Sequence, residues 1–215
     1  IAEGPIIQAA HDRALKNNTS LTKIFKLVKK FREKNVDTPV ILMGYINTFL
    51  ANIKALEESY VSGSDAVLIV DIPGESDIKN FGIKNTNLAS ISLIAPTTSK
   101  DRISKICDNS SGFIYYVTLR GVTGSSNLNI SEAESNINYI RSQTSLPVFA
   151  GFGIKTSDDA NNLSKISDGV VIGSSLVEMI NNHSRKKEFK KIYNYLNEIS
   201  KAISLWFGLQ DLSHP

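Results

Sequence analysis

Cysteine is nearly absent from this chain: Cys107 is the only one among 215 residues. A single thiol excludes an internal disulfide framework and suits a reducing compartment. Histidine is also scarce. His11, His183 and His214 fall in helical or tail contexts, and no grouping of His, Cys and carboxylates has the spacing of a metal site. Neither a metal centre nor a cysteine nucleophile is expected, and no serine nucleophile elbow is present. Apolar runs are all far shorter than the roughly 20 residues that span a bilayer. No signal-peptide pattern is seen, so the expected location is the cytoplasm and no membrane partner is expected. Blocks of like charge are missing too. Lys and Arg number 24 against 21 Asp and Glu, a net charge of +3. The lysines are spread along helical segments, where they read as solvated faces and not as a nucleic-acid surface.

What remains is an ordinary globular composition, 41% hydrophobic and 21% charged, long enough for one domain with a sizeable core. No low-complexity linker or composition shift divides it, so one domain over residues 1–215 is expected. Six β-branched apolar runs recur: VILMGY at 40–45, AVLIVDI at 66–72, ISLIAP at 91–96, FIYYVT at 113–118, PVFAGFG at 147–153 and GVVIGS at 169–174. They are nearly continuous, not alternating, as in strands covered on both faces. Helical patterns lie between them. Ser20 is a plausible N-cap for the helix bearing Ile24, Phe25, Val28 and Phe31, Gly63 a C-cap, Ser131 with Glu134 a capping box and Thr156 another N-cap.

Such alternation predicts right-handed βαβ units and a parallel sheet. The unit spacing fits a (β/α)8 TIM barrel, with an open doubly wound sheet as the alternative. A closed barrel needs eight strands and only six runs are visible. The first two strands and the first helix are therefore expected to lie before Ile1.

Three late loops are rich in Gly and small polar residues: Gly121-Val122-Thr123-Gly124, Gly151-Phe152-Gly153 and Gly173-Ser174-Ser175. The last opens a short helix. Backbone N–H groups converging from glycine loops and a helix N-terminus make a phosphate cradle, because no Cβ keeps the anion away and the dipole end is positive. Asp71, at a strand end, reads equally as a loop-ordering acceptor or a catalyst. Tyr45, Tyr115, Leu68 and Phe152 near one barrel end would form a flat apolar pocket for an aromatic ring.

These segments together are recognisable. AEGPIIQAAHDRAL resembles the ADGP-x-IQ-x-A segment of tryptophan synthase α chains. VILMGYIN, VDIP, YY followed by GVTG, GFGI and the GSS-helix follow in that family's order, from Ile1 to about Leu205. The resemblance implies a carbon–carbon lyase of tryptophan biosynthesis that cleaves indole-3-glycerol phosphate to indole and glyceraldehyde 3-phosphate. It places Glu3 where the family has Asp beside the indole nitrogen, one methylene longer, and counts Glu3 and Tyr115 as catalytic. Tyr45, Leu68 and Phe152 correspond to the ring pocket. Thr123 corresponds to the residue that positions Glu3, and Gly124, Gly153, Gly173 and Ser174 to the phosphate cradle. Arg120 has no assignment. No cofactor is implied in this chain; pyridoxal phosphate belongs to the β subunit, the implied partner in an α2β2 complex, which Asn47 and Pro73 would face. The family's catalytic Glu lies upstream of the ADGP segment, so the 215-residue chain alone is expected to be inactive. The alternatives are a non-catalytic activator of the β subunit and another phosphate-binding TIM-barrel enzyme.

Overall fold

The computed structural model describes residues 4–50, 54–77, 87–117, 130–151, 153–184 and 186–207, the last four by their backbone alone. The chain opens with two helices, α1 (Gly4–Lys16) and α2 (Leu21–Arg32). Strand β1 (Ile41–Gly44) leads into the short α3 (Ile46–Leu50) and α4 (Ala55–Val61). Then come β2 (Ala66–Ile69), β3 (Ala89–Ser90) and β4 (Ser92–Ile94). The remaining units are α5 (Lys100–Asp108), β5 (Ile114–Val117), α6 (Ile130–Arg141), β6 (Val148–Gly151), α7 (Ser157–Ser164) and β7 (Gly169–Val170). Two helices close the chain, α8 (Ser174–His183) and α9 (Phe189–Phe207).

Every described strand pairing is parallel, and each strand pairs with its neighbour in sequence. β3 and β4 are two halves of one strand position, joined by Ile91, whose N–H donates to the carbonyl of Val67 at 2.9 Å. The ladder therefore runs β1-β2-β3/β4-β5-β6-β7. A doubly wound sheet reverses its strand order at a switch point. This order never reverses, so the chain winds in one direction, as a (β/α)8 barrel does. Among the described residues β1 and β7 pair on one side only, and Met43 on β1 is 54% exposed.

Side-chain parity explains why the strand runs lack alternation. Ala66, Leu68 and Ile91 pack on one side of the sheet with Val70, Ala89, Leu93, Phe113 and Tyr115. Residues of the opposite parity, Val67 and Ile69, pack with Phe49 and Leu56 of the helices. Further along, Ile114, Tyr116, Val148 and Ala150 pack against Ile103, Ile137 and Leu163. Both faces are apolar because one meets other strands across the interior and the other meets the helix layer. Phe113 and Phe149 stack with centroids 4.4 Å apart. Gly169 lies beside Phe149 in the ladder, and a Cβ there would come within 2.9 Å of the Phe149 ring. A small residue is what lets that aromatic pair fit.

The helix boundaries follow their caps. Ser20 accepts from Lys23 N at 3.4 Å. Thr156 and Asp159 form a complete capping box on α7, stronger than the single cap expected. Gly63 ends α4 at φ +102°, with Ser64 N donating to Ser59 O at 3.1 Å. The expected capping box at Ser131 is not where α6 begins. Ile130 is already helical, so Ser131 lies within the helix and is not its N-cap. The strand expected from residue 91 starts at Ala89, because Ala89 N already donates to Asp65 O at 2.9 Å.

The N-terminal end of the sheet carries the same device twice. Asp65, just before β2, accepts from Val40 N at 2.6 Å and pairs with Arg32 at the end of α2. Asp168, just before β7, accepts from Val148 N at 2.8 Å and pairs with Arg141 at the end of α6, also at 2.8 Å. Each carboxylate ties the start of one strand to the start of the next and to the helix that leads into the first of the two. These are stability features, on the face opposite to the loops that carry chemistry in this fold.

Candidate active site

The segments after β1, β2, β6 and β7 hold most of the sequence-predicted residues that the structure describes, and Leu68 and Tyr115 lie within β2 and β5. Tyr45 follows β1 directly, and its ring meets His11 of α1 edge-on, with centroids 6.3 Å apart. α1 also packs against α8. The helix of the AEGP segment therefore lies beside Tyr45, which follows β1, and beside α8.

Leu68 and Tyr115 lie in one interior cluster, with Val70, Ile91 and Leu93. Leu68 is buried there, so it forms part of the floor of the interior, and Tyr115 stands beyond it along β5. Burial pushes the Tyr115 phenol up to about 12. At neutral pH it is a protonated hydroxyl and can donate a hydrogen bond; it is not a base. Neighbouring Tyr116 faces the helix layer instead, where Asn136 donates to its hydroxyl at 2.9 Å.

The glycine loops after β6 and β7 lie side by side. Gly151 ends β6 against Val171, whose carbonyl oxygen a Cβ on Gly151 would overlap. Gly153 adopts φ +69°, a conformation that favours glycine. Across from it, Gly173 is the N-cap of α8, with no side-chain cap bond and open space where a Cβ would stand. The first-turn N–H groups of α8 thus face outward without a side-chain acceptor at the cap, the arrangement that receives an anion. Ser175 joins the two loops: its hydroxyl donates to the carbonyl of Ile154 at 2.5 Å. Sequence reasoning passed over this serine, since a second Ser after Gly-Ser carries no distinct signal.

Asp71 serves as a loop-ordering acceptor. Its Oδ1 takes a hydrogen bond from Ile46 N at 2.7 Å. Asn47 and Pro73 are both exposed, on the two loops that this bond connects. The second loop is also anchored from below. Arg102 of α5 pairs with Glu75, which holds the Glu75 carboxyl below its ordinary value, and Asn109 donates to Glu75 O at 2.9 Å. Beside this loop lies a small cleft lined in part by Ile72, Pro73, Ser90 and Ser92.

Of the other candidates, Cys107 is buried in the core and burial raises its thiol, so it has no reactive character. His183 is the last residue of α8 and pairs with Glu188 at 2.7 Å. Among the described residues no cluster of His, Cys, Asp and Glu could hold a metal ion. No described helix is long and apolar enough to cross a membrane. Glu3, Arg120, Thr123, Gly124, Phe152 and His214 lie outside the described residues.

The model of the family described as tryptophan synthase alpha chain matches residues 1–204. The tryptophan synthase alpha chain of Thioalkalivibrio sulfidiphilus is 39% identical over 209 residues, covering 94% of this chain and 78% of that protein. That of Neisseria meningitidis serogroup B is 40% identical over 187 residues, covering 86% of this chain and 72% of the relative. The crystal structure of tryptophan synthase subunit alpha from Legionella pneumophila superposes with a TM-score of 0.83 at 32% identity, covering 94% of this chain and 77% of that one. The tryptophan synthase complex from Pyrococcus furiosus matches with a TM-score of 0.79 at 30% identity, covering 94% and 81%. With its unidirectional parallel barrel and its paired glycine loops at the strand ends, the chain belongs to the tryptophan synthase alpha chain family.

Proposed function

We propose that this chain is the lyase of the α reaction, cleaving indole-3-glycerol phosphate to indole and glyceraldehyde 3-phosphate. The observation that carries the reading is the meeting of Gly153, at φ +69°, with the uncapped start of α8 at Gly173 and Ser174, at the open end of an interior that holds Leu68 and Tyr115. One end receives a phosphate dianion; the other receives an aromatic ring.

The reaction is a retro-aldol cleavage. A carboxyl group, the catalytic Glu that the family carries upstream of the AEGP segment, gives its proton to indole C3, forming an indoleninium cation. The adjacent glycerol hydroxyl passes its proton to the resulting carboxylate, its C–O bond becomes a carbonyl, and the bond to C3 breaks with its electron pair returning to the ring. Atoms and charge balance without an oxidant or reductant, so we assign no cofactor to this chain and leave pyridoxal phosphate to the β subunit. Glu3 stays ionised near the ring nitrogen, with Thr123 positioning it. Tyr115, neutral at physiological pH, donates a hydrogen bond near the reacting groups. Tyr45, Leu68 and Phe152 enclose the ring, and Gly124, Gly153, Gly173 and Ser174 hold the phosphate.

The partner in this reading is the β subunit, in an α2β2 complex, docked on the loops of Asn47 and Pro73, and the location is the cytoplasm. The test is indole release from indole-3-glycerol phosphate by the complete polypeptide, with and without β subunit. Release that rises on adding β subunit is the expected result. A polypeptide that activates the β subunit yet releases no indole in a single turnover would replace this reading with that of a non-catalytic activator.

A further inference from the structure

We infer that Ser175 is a positioning residue for the phosphate end of the substrate, an inference that rests on the phosphate cradle proposed above. The cradle is built from two separate pieces of backbone. One is the loop after β6, with Gly153 at φ +69°; the other is the start of α8, with Gly173 as its N-cap. Among the described residues the β6–β7 ladder pairs Phe149 with Gly169 and Ala150 with Val170, with one further bond from Val171 N to Ala150 O at 2.9 Å.

The Ser175 hydroxyl adds a side-chain tie between the two loops. Ser175 is the second residue of α8, and its Oγ donates to the carbonyl of Ile154 at 2.5 Å. Ile154 itself is buried in the main core beside Ala160 and Leu163, so its carbonyl stands on a rigid base. On the far side, Thr156 and Asp159 lock the start of α7. The hydroxyl therefore ties the first turn of α8 to a fixed point one residue beyond Gly153. That sets the separation between the amides contributed by the two pieces.

Amides that converge on one anion act only when they are placed within a fraction of an ångström of their bonding positions. A tie that costs nothing to re-form on binding lowers the ordering penalty of the loop. Ser175 touches neither the ring pocket nor the reacting bond in this arrangement. Its effect should appear where the phosphate is bound and leave ring binding untouched.

The test uses Ser175→Ala and Ser175→Thr in the complete polypeptide, with the β subunit present. Measured quantities are kcat and KM for indole-3-glycerol phosphate, binding of inorganic phosphate by titration, binding of free indole, and Tm. Loss of one hydrogen bond to the cradle is expected to raise KM and weaken phosphate binding by about tenfold in Ser175→Ala. Indole binding should stay as it was and kcat within about twofold, since these do not depend on the cradle. Ser175→Thr, which keeps the hydroxyl, should restore phosphate binding. Unchanged KM and phosphate binding in Ser175→Ala would overturn the inference while leaving the lyase reading intact. Parallel loss of indole and phosphate binding with a fallen Tm would overturn it as well, by assigning Ser175 a general packing role. A wild-type polypeptide that cleaves substrate but binds no inorganic phosphate, with Ser175→Ala raising no KM, would overturn the cradle and this inference together.

Discussion

The carboxylate of Asp71 accepts a hydrogen bond from the backbone N–H of Ile46 at 2.7 Å. The two residues belong to adjacent loops, one after β1 and one after β2, which carry the exposed Asn47 and Pro73. A single side chain thus makes one surface of two loops. Asp71→Ala is expected to cost about 1 kcal/mol in stability, the net worth of one hydrogen bond at an exposed site. The larger effect should be on partner activation, because the loops lose their mutual register. Titrating β-subunit activity at limiting α concentration checks this. An unchanged half-activation point would remove Asp71 from the docking surface.

Tyr115 gives a signed dependence on pH. Its hydroxyl is raised from 10 to about 12 by burial. Between those values an unfolded chain ionises this phenol while the folded chain keeps it neutral. Stability from this group is therefore complete below pH 10 and falls as pH rises toward 12, by on the order of 2–3 kcal/mol. Tyr115→Phe should flatten part of that alkaline loss in denaturant titrations. The pH–rate profile of indole release between pH 6 and 9 should show no step that disappears in Tyr115→Phe. A step of that kind would mean the phenol titrates in the working range.

Two positions in the left-handed region should respond with opposite signs. Gly63 sits at φ +102°, and a Cβ there would lie 2.7 Å from Cγ of Arg32. Gly63→Ala is expected to destabilise by about 1–3 kcal/mol, from backbone strain and from displacing the arginine that pairs with Asp65. Lys187 has φ +56° without being glycine, at the turn where Glu188 N donates to His183 O at 3.0 Å. Lys187→Gly relieves strain and should stabilise by about 0.5–1 kcal/mol. Urea unfolding of both variants decides the pair, and equal signs would contradict the backbone argument.

The clamp at Asp168 is predicted to act on stability alone. Asp168→Ala removes the bond from Val148 N and the pairing with Arg141. The loss should be about 1–3 kcal/mol. In a double-mutant cycle with Arg141→Ala, the coupling should be no more than about 1 kcal/mol, since the pair is partly exposed. KM and kcat should remain at wild-type values, because the clamp lies at the N-terminal strand ends, opposite to the βα loops. A change in KM larger than that of Ser175→Ala would show that the N-terminal face communicates with the site.

Much of this protein was written locally. The six strand positions were legible because a strand covered on both faces must be apolar at every residue, and Val67 and Leu68 show both parities buried. Ser20, Gly63 and Thr156 marked helix ends because unpaired backbone groups there need a side chain or a left-handed turn. Gly151 and Gly153 stood out as loop glycines for a physical reason: a Cβ on Gly151 would overlap Val171 O, and Gly153 has φ +69°. One repeated signal was present and went unread: Ser64-Asp65 before β2 and Ser167-Asp168 before β7.

Other features exist only in three dimensions. The unidirectional strand order, which separates a barrel from a doubly wound sheet, depends on which strands pair, and periodicity is blind to that. Nor could spacing decide between catalysis and loop ordering for Asp71, because its partner Ile46 lies 25 residues away. Ser175 looked like any serine in a first helical turn until folding brought the carbonyl of Ile154, 21 residues back, to 2.5 Å. Local sequence determines which segments become strands, helices and turns, since those choices depend on burial and on backbone groups a few residues apart. Which loop is tied to which is decided by the packed barrel, because only tertiary contacts bring distant donors and acceptors within hydrogen-bond reach.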